Sequence, residues 1–182
     1  MTTLAFRLLA LAAVVALAAP GCIDVMTADS SKYVERVDKH PIDLRDKTVC
    51  DIGDADLGEV AVTRDKDSYT LEKDPKKNEW KLVKPSGATL DASKVTPIAS
   101  AFKDWKGSGF AEDQSVKANG LAKATAVIGA RSKDKKKSCS LKIGDETSDK
   151  TNRYVAVGSD VLVVPKWSID RILVKVDDLK KK

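Results

Sequence analysis

An α+β fold follows from three features of this sequence of 182 residues. Short segments in which apolar and polar residues alternate, the period of a strand, occupy both halves of the chain. One apolar stripe with helical spacing lies between them, and turn-forming residues separate most segments. The expected architecture is an antiparallel β-meander, one amphipathic helix packed on the sheet, a second antiparallel β half and a short C-terminal helix. Composition agrees: 42% hydrophobic, 32% charged and 5% aromatic residues exclude collagen-like, low-complexity and largely disordered chains. The net charge of +5 is mild beside 32 basic and 27 acidic residues. No face or helix concentrates it, so nucleic acid is not an expected partner.

Residues 1–21, MTTLAFRLLALAAVVALAAPG, place one basic residue, Arg7, before an unbroken apolar run from Leu8 to Ala19. A bilayer span needs about 20 apolar residues, and this run has the length of a signal-peptide core. Gly21-Cys22 resembles the end of a bacterial lipobox, in which the cysteine is acylated. Ala16-Leu17-Ala18 offers a competing site, and cleavage after Ala18 would release a secreted soluble protein. The lipoprotein reading makes Cys22 the anchor to a bacterial membrane and residues 22–42, polar and aperiodic, a flexible tether. A single α+β domain then occupies 43–182.

Within that domain Val60 and Val62 alternate with Ala61 and Thr63, and Tyr69 and Leu71 alternate with Ser68, Thr70 and Glu72. Trp80 and Leu82 flank Lys81 after the turn Asp74-Pro75-Lys76-Lys77-Asn78. These three strands form the meander. Val95, Ile98, Ala99, Phe102 and Trp105 then make one helical stripe. Two starts are consistent with it: Asp91 as cap with Pro97 inside the helix, or Thr96 as cap with Pro97 in the first turn. Either helix ends near Trp105, before Gly107-Ser108-Gly109, and a weaker helix is expected over Glu112–Lys117. The second β half comprises 125–131, 138–144, 153–158 and 160–165. In it Cys139, Leu141 and Ile143 share one face, and Ser138, Ser140 and Lys142 the other, as in a sheet with one dry and one wet side. Trp167–Leu173 reads as the C-terminal helix. The phrase Asp43-Leu44-Arg45-Asp46-Lys47 returns loosely as Asp178-Leu179-Lys180-Lys181-Lys182, bracketing the domain.

Chemistry-bearing motifs are sparse. A single histidine, His40 in the tether, rules out a multi-histidine zinc site within one chain and leaves a Ser-His-Asp triad without a suitable base. No C-x-x-C, Walker loop or G-x-G-x-x-G occurs. Ser132-Lys133-Asp134-Lys135 matches S-x-x-K but lacks its partner motifs and falls where a charged hairpin tip is expected. Asp51, Asp54, Asp56 and Glu59 crowd one segment. They suit calcium only loosely, because Gly58 stands where a ligand should be, and turn formation explains them as well. No cofactor or metal is assigned, and the lysine runs 135–137 and 180–182 read as solvated surface.

With Cys22 acylated, Cys50 and Cys139 remain as a pair in an oxidising compartment. Both share strand parity with apolar neighbours, so both point inward. A disulfide and two buried free thiols are both compatible with that pattern.

The order of several short motifs resembles the uncharacterised bacterial family catalogued as domain of unknown function 4340. They are Trp80-Lys81-Leu82-Val83-Lys84-Pro85, Leu90-Asp91, Gly120-Leu121, Ile143-Gly144 and Tyr154-Val155, and they span about residues 43–182 in a single copy. Asn119 departs from the usual aromatic before Gly-Leu, and Ala124 stands where proline is common. The resemblance implies no catalytic residue. It implies an envelope protein or lipoprotein, often in tandem copies, whose genes often neighbour those of ABC-type transport systems.

The functional expectation is therefore an envelope-anchored lipoprotein acting as a non-enzymatic binding or accessory module, facing the periplasm or the exterior. Its expected partners are the membrane, through the lipid on Cys22, and an envelope protein or ABC-type transporter. The alternative is an envelope enzyme that uses the Asp51–Glu59 carboxylates or the Cys50/Cys139 pair.

Overall fold

The computed structural model describes residues 45–65 and 67–181. The signal segment 1–21, Cys22, the tether 22–42 and His40 lie outside the described residues. The strands are β1 (Thr48–Cys50), β2 (Leu57–Thr63), β3 (Tyr69–Lys73), β4 (Trp80–Lys84), β5 (Trp105–Lys106) and β6 (Gly109–Phe110). After them come β7 (Ala126–Ser132), β8 (Ser138–Glu146), β9 (Asn152–Val157) and β10 (Asp160–Pro165). Helix α1 (Ala92–Ser100) precedes β5, and α2 (Lys166–Asp170) follows β10. Among the described residues the protein is mostly antiparallel sheet with two helices, as the alternation patterns predict.

The two expected β halves form one eight-stranded sheet in the order β4-β3-β2-β7-β8-β9-β10-β6. The meander leaves β2 in one direction and the second half leaves β7 in the other. Antiparallel pairing of β2 with β7, Val60 opposite Ala130 and Val62 opposite Ile128, joins them. β1 and β5 make a separate two-stranded ribbon.

Register turns the alternation into layers. Leu82, Leu71, Val60, Ala130 and Cys139 stand side by side across five strands. Ala126, Ile143, Val155 and Leu162 form a second rung. On this face pack Val95, Ile98 and Ala99 of α1, then Phe102, Ile169, Ile172 and Leu179, in one apolar core. Each fully buried aliphatic side chain contributes about 1.5–3 kcal/mol, which is why the face is so uniform. The opposite face carries Lys81, Glu72, Glu59 and Arg131 in one charged rung. Further along, Ala111 and Leu121 cover Val161 in a small second core.

Asp91 caps α1: its carboxylate accepts the Ser93 N–H at 2.9 Å, and Pro97 lies inside the helix. Thr96 is not the cap, since its hydroxyl donates to the Ala92 carbonyl. The helix stops at Ser100 and does not reach Trp105. The Phe102 carbonyl takes the Ile52 N–H, Asp104 turns to a φ of 49°, and Trp105 pairs with Cys50 in the ribbon. Glu112–Lys117 is not helical either. Asp113 accepts the Ser115 N–H, and the Asn119 amide donates to the Asp113 and Ser115 carbonyls, so local side-chain bonds replace a helical ladder. The C-terminal helix ends at Asp170, and a separate single turn follows at Val176–Leu179. Tyr69 ties this tail to the meander by donating to the Ile172 carbonyl at 2.6 Å, and burial pushes its phenol pKa up. The echoed phrases do different work: Lys47 accepts from Gly107, whereas Leu179 and Lys181 pair with Asp91 and Thr89.

Candidate functional site

Cys50 and Cys139 form a disulfide with a Cα–Cα distance of 5.8 Å, linking the β1–β5 ribbon to β8 across 89 residues of chain. Cys50 is buried and Cys139 partly so, which makes the bridge part of the core. Its chemistry is that of a staple.

The carboxylates of the 51–59 segment do not converge. Asp51 accepts from the Asp104 N–H at 3.2 Å, Asp54 lies near Lys73, and Glu59 pairs with Arg131 at 3.4 Å on the wet face. Asp56 uses its main-chain carbonyl, which accepts the Lys133 N–H. Among the described residues no group of three or more His, Cys, Asp and Glu side chains is placed to hold a metal ion. Ser132 is likewise occupied: its hydroxyl binds Asp134 and accepts the Lys137 N–H, holding the hairpin tip before β8. Asp134 is pulled below the usual carboxylate range by those hydrogen bonds, the Ser132 hydroxyl first and the Lys136 N–H second.

A different place is built like a binding site. A cleft of about 730 Å³ opens between the far end of β3–β4 and the start of α1, within the size range of small-molecule pockets. Leu82, Leu90 and Val95 supply apolar lining, and Trp80, Asp54 and Glu79 add an aromatic ring and two carboxylates. Its unusual member is Lys73. On β3 the buried face reads Tyr69, Leu71, Lys73, so the lysine stands where strand parity calls for an apolar residue. Only 6% of its side chain is exposed. Its ammonium donates to the Asp54 carbonyl at 3.1 Å, lies 3.8 Å from the Asp54 carboxylate and sits 5.5 Å from the centre of the Trp80 ring. Removing an ammonium from water is costly, and one hydrogen bond uses one of its three donors.

The second lysine of the cleft is committed elsewhere. Lys81 donates to Asp74 at 2.6 Å. That bond, aided by the Lys77 and Lys76 N–H groups, pulls the Asp74 carboxyl down to about 2. Lys73 is therefore the more loosely held of the two lysines, its carboxylate partner Asp54 standing 3.8 Å away against 2.6 Å for the Lys81–Asp74 pair. Strand alternation contains a signal for it, a lysine in the apolar register, but the adjoining Asp74-Pro75 reads as turn and hides the strand's last residue.

The chain matches the family described as Domain of unknown function (DUF4340) in two overlapping segments, residues 24–124 and 80–182. The chain belongs to this family. No curated protein and no solved structure matches it. The motifs that carry the resemblance have structural explanations within this fold. Leu90-Asp91 pairs with the C-terminal segment and caps α1. Gly120, at a φ of 71°, has no room for a Cβ beside the Asp145 carboxyl, and Gly144 has none beside the Asn119 carbonyl. Trp80 is the exception, because it lines the cleft.

Proposed function

We propose that this member of the DUF4340 family is a non-enzymatic binding or accessory module of the bacterial envelope. Lipidated Cys22 holds it at a membrane, beside an ABC-type transport system. The cleft carries this reading: a nearly buried cation, loosely paired with an exposed carboxylate on an amphiphilic lining, is equipment for recognition. The Cys50–Cys139 bridge fits an oxidising compartment. The separate partners of Asp51, Asp54 and Glu59 favour it over the enzymatic alternative, which needs carboxylates acting on one point.

The test is crosslinking in native membranes. A photoreactive residue replaces Thr96, exposed at the rim of the cleft, and products are identified by mass spectrometry. Repeated recovery of a transporter subunit or another envelope protein is expected. Recovery of none, with a turnover activity that falls on Asp54→Asn, overturns the reading. Cys22→Ser should release the protein from membranes; undiminished sedimentation of the variant contradicts the anchor, whereas a parent protein that does not sediment with membranes favours the soluble product cleaved after Ala18.

A further inference from the structure

We infer that the β3–β4/α1 cleft recognises a singly charged carboxylate attached to an apolar body, with Lys73 as the recognition cation. The inference rests on the binding-module reading and adds the chemical class of the ligand.

Four observations point the same way. Lys73 occupies the apolar face of β3 at its last position, so its charge interrupts a continuous dry surface. Fold stability does not call for a charge there, because a methionine would fill the same space without the desolvation cost. The ammonium makes a single hydrogen bond at 3.1 Å, to a main-chain carbonyl, and its nearest carboxylate, on Asp54, is 3.8 Å away with 49% of the side chain exposed. An incoming carboxylate can take the ammonium while Asp54 turns to water. Leu82, Leu90 and Val95 line the same cleft and offer an apolar bed.

The charge balance of the lining sets the charge of the ligand. Asp54 and Glu79 face the cleft with Lys73 and Lys81, and Lys81 is held by Asp74. Once Asp54 turns to water, Lys73 offers one positive charge, which a single carboxylate matches, and the remaining carboxylates of the lining disfavour a dianion such as a phosphate monoester. A lysine ammonium, a point charge without the planar fork of arginine, imposes no bidentate geometry, so the apolar body provides the selectivity. Such a group exists free, as a small organic acid, and as the C-terminus of a polypeptide ending in an apolar residue.

The experiment is calorimetric titration of the full-length Cys22→Ser protein with matched acid and amide pairs. 4-Phenylbutyrate and its primary amide represent the small acid. An N-acetylated tripeptide ending in leucine, with a free or an amidated C-terminus, represents the polypeptide end. At least one free acid should bind ten-fold or more tightly than its amide, and whichever pair shows the larger preference identifies the source. Phenyl phosphate should bind more weakly than the favoured acid. Lys73→Met should reduce the acid–amide ratio to near one, with an unchanged circular dichroism spectrum as the folding control. Equal binding of acid and amide by the Cys22→Ser protein overturns the inference without recourse to the Lys73 variant, and so does tighter binding of phenyl phosphate. Binding of no probe also overturns it, and crosslinking from position 96 then reports separately whether the binding-module reading survives.

Discussion

The two wings of the sheet are built from the same alternation yet end differently. In the β7–β10 wing, Ala126, Ile128, Leu141, Ile143, Val155, Leu162 and Val164 are all buried, and the charges that share their register, Arg153 opposite Val164 and Asp160 at the start of β10, are held in close ion pairs with Glu146 at 3.2 Å and Arg45 at 2.7 Å. Its margin is stapled by Cys139 and its far side is partly covered by Ala111 and Leu121. In the β2–β4 wing the apolar rungs run only as far as Leu71 and Leu82. The next pair, Lys73 opposite Trp80, lines a cleft beside the edge strand β4. One wing is closed by packing and by a covalent link; the other is left open at a charged residue. Lys73 differs from Arg153 in having no carboxylate at close hydrogen-bonding distance, and a break of the pattern at such a residue is best explained by what it can bind.

That contrast predicts where substitutions cost stability and where they cost binding. The largest stability loss belongs to the stapled wing. Cys139→Ser frees a loop of 89 residues, for which the chain-entropy model gives a loss of about 4.6 kcal/mol. Denaturant titration should show it, and reductant should shift the parent protein by a similar amount and leave the variant unmoved. A variant as stable as the parent would make the bridge incidental to the closed wing.

Next in size is Tyr69→Phe, where the open wing meets the C-terminal tail. It leaves the Ile172 carbonyl without its buried donor, at a cost of about 1–3 kcal/mol in the same titration. Asp91→Ala removes the cap of α1, and about 1 kcal/mol should go with it.

Acid should act on both wings with one sign. Hydrogen bonds from Lys166 and Arg153 lower the Glu146 carboxyl, and the Lys81 ammonium pulls Asp74 down to about 2. A carboxyl whose pKa is lower folded than unfolded adds stability that is complete above about pH 4 and fades as pH falls through the folded value. Melting temperatures should therefore drop from pH 4 toward pH 2, and Asp74→Asn should flatten part of that drop. A melting temperature that rises on acidification would contradict these pairings.

Much of this contrast is legible in the sequence, for physical reasons. Cys139-Leu141-Ile143 and Tyr69-Leu71 alternate cleanly because one face of the sheet is dry, so their strands and inward parity can be read directly. The β2–β7 pairing that fuses the two halves cannot, since Val60 and Val62 would pack equally well against several apolar strands. The helix end at Ser100 depends on Trp105 being drawn into pairing with Cys50, a contact from a distant segment. The strands of two residues, β5 and β6, are too short to show a period. At the site, Asp51, Asp54, Asp56 and Glu59 stand out by crowding, and folding disperses them. Lys73 does not stand out, because only register shows that it shares a face with Leu71.

The account turns on Lys73 serving recognition and not stability, and the equilibrium stability of Lys73→Met tests this most directly. Methionine keeps the volume and removes the buried charge, so denaturant unfolding should give a stability within about 1 kcal/mol of the parent, or higher. A loss of about 3 kcal/mol or more, the size expected when a buried ion pair is broken, would make the Lys73–Asp54 contact a structural element and contradict the contrast between the two wings.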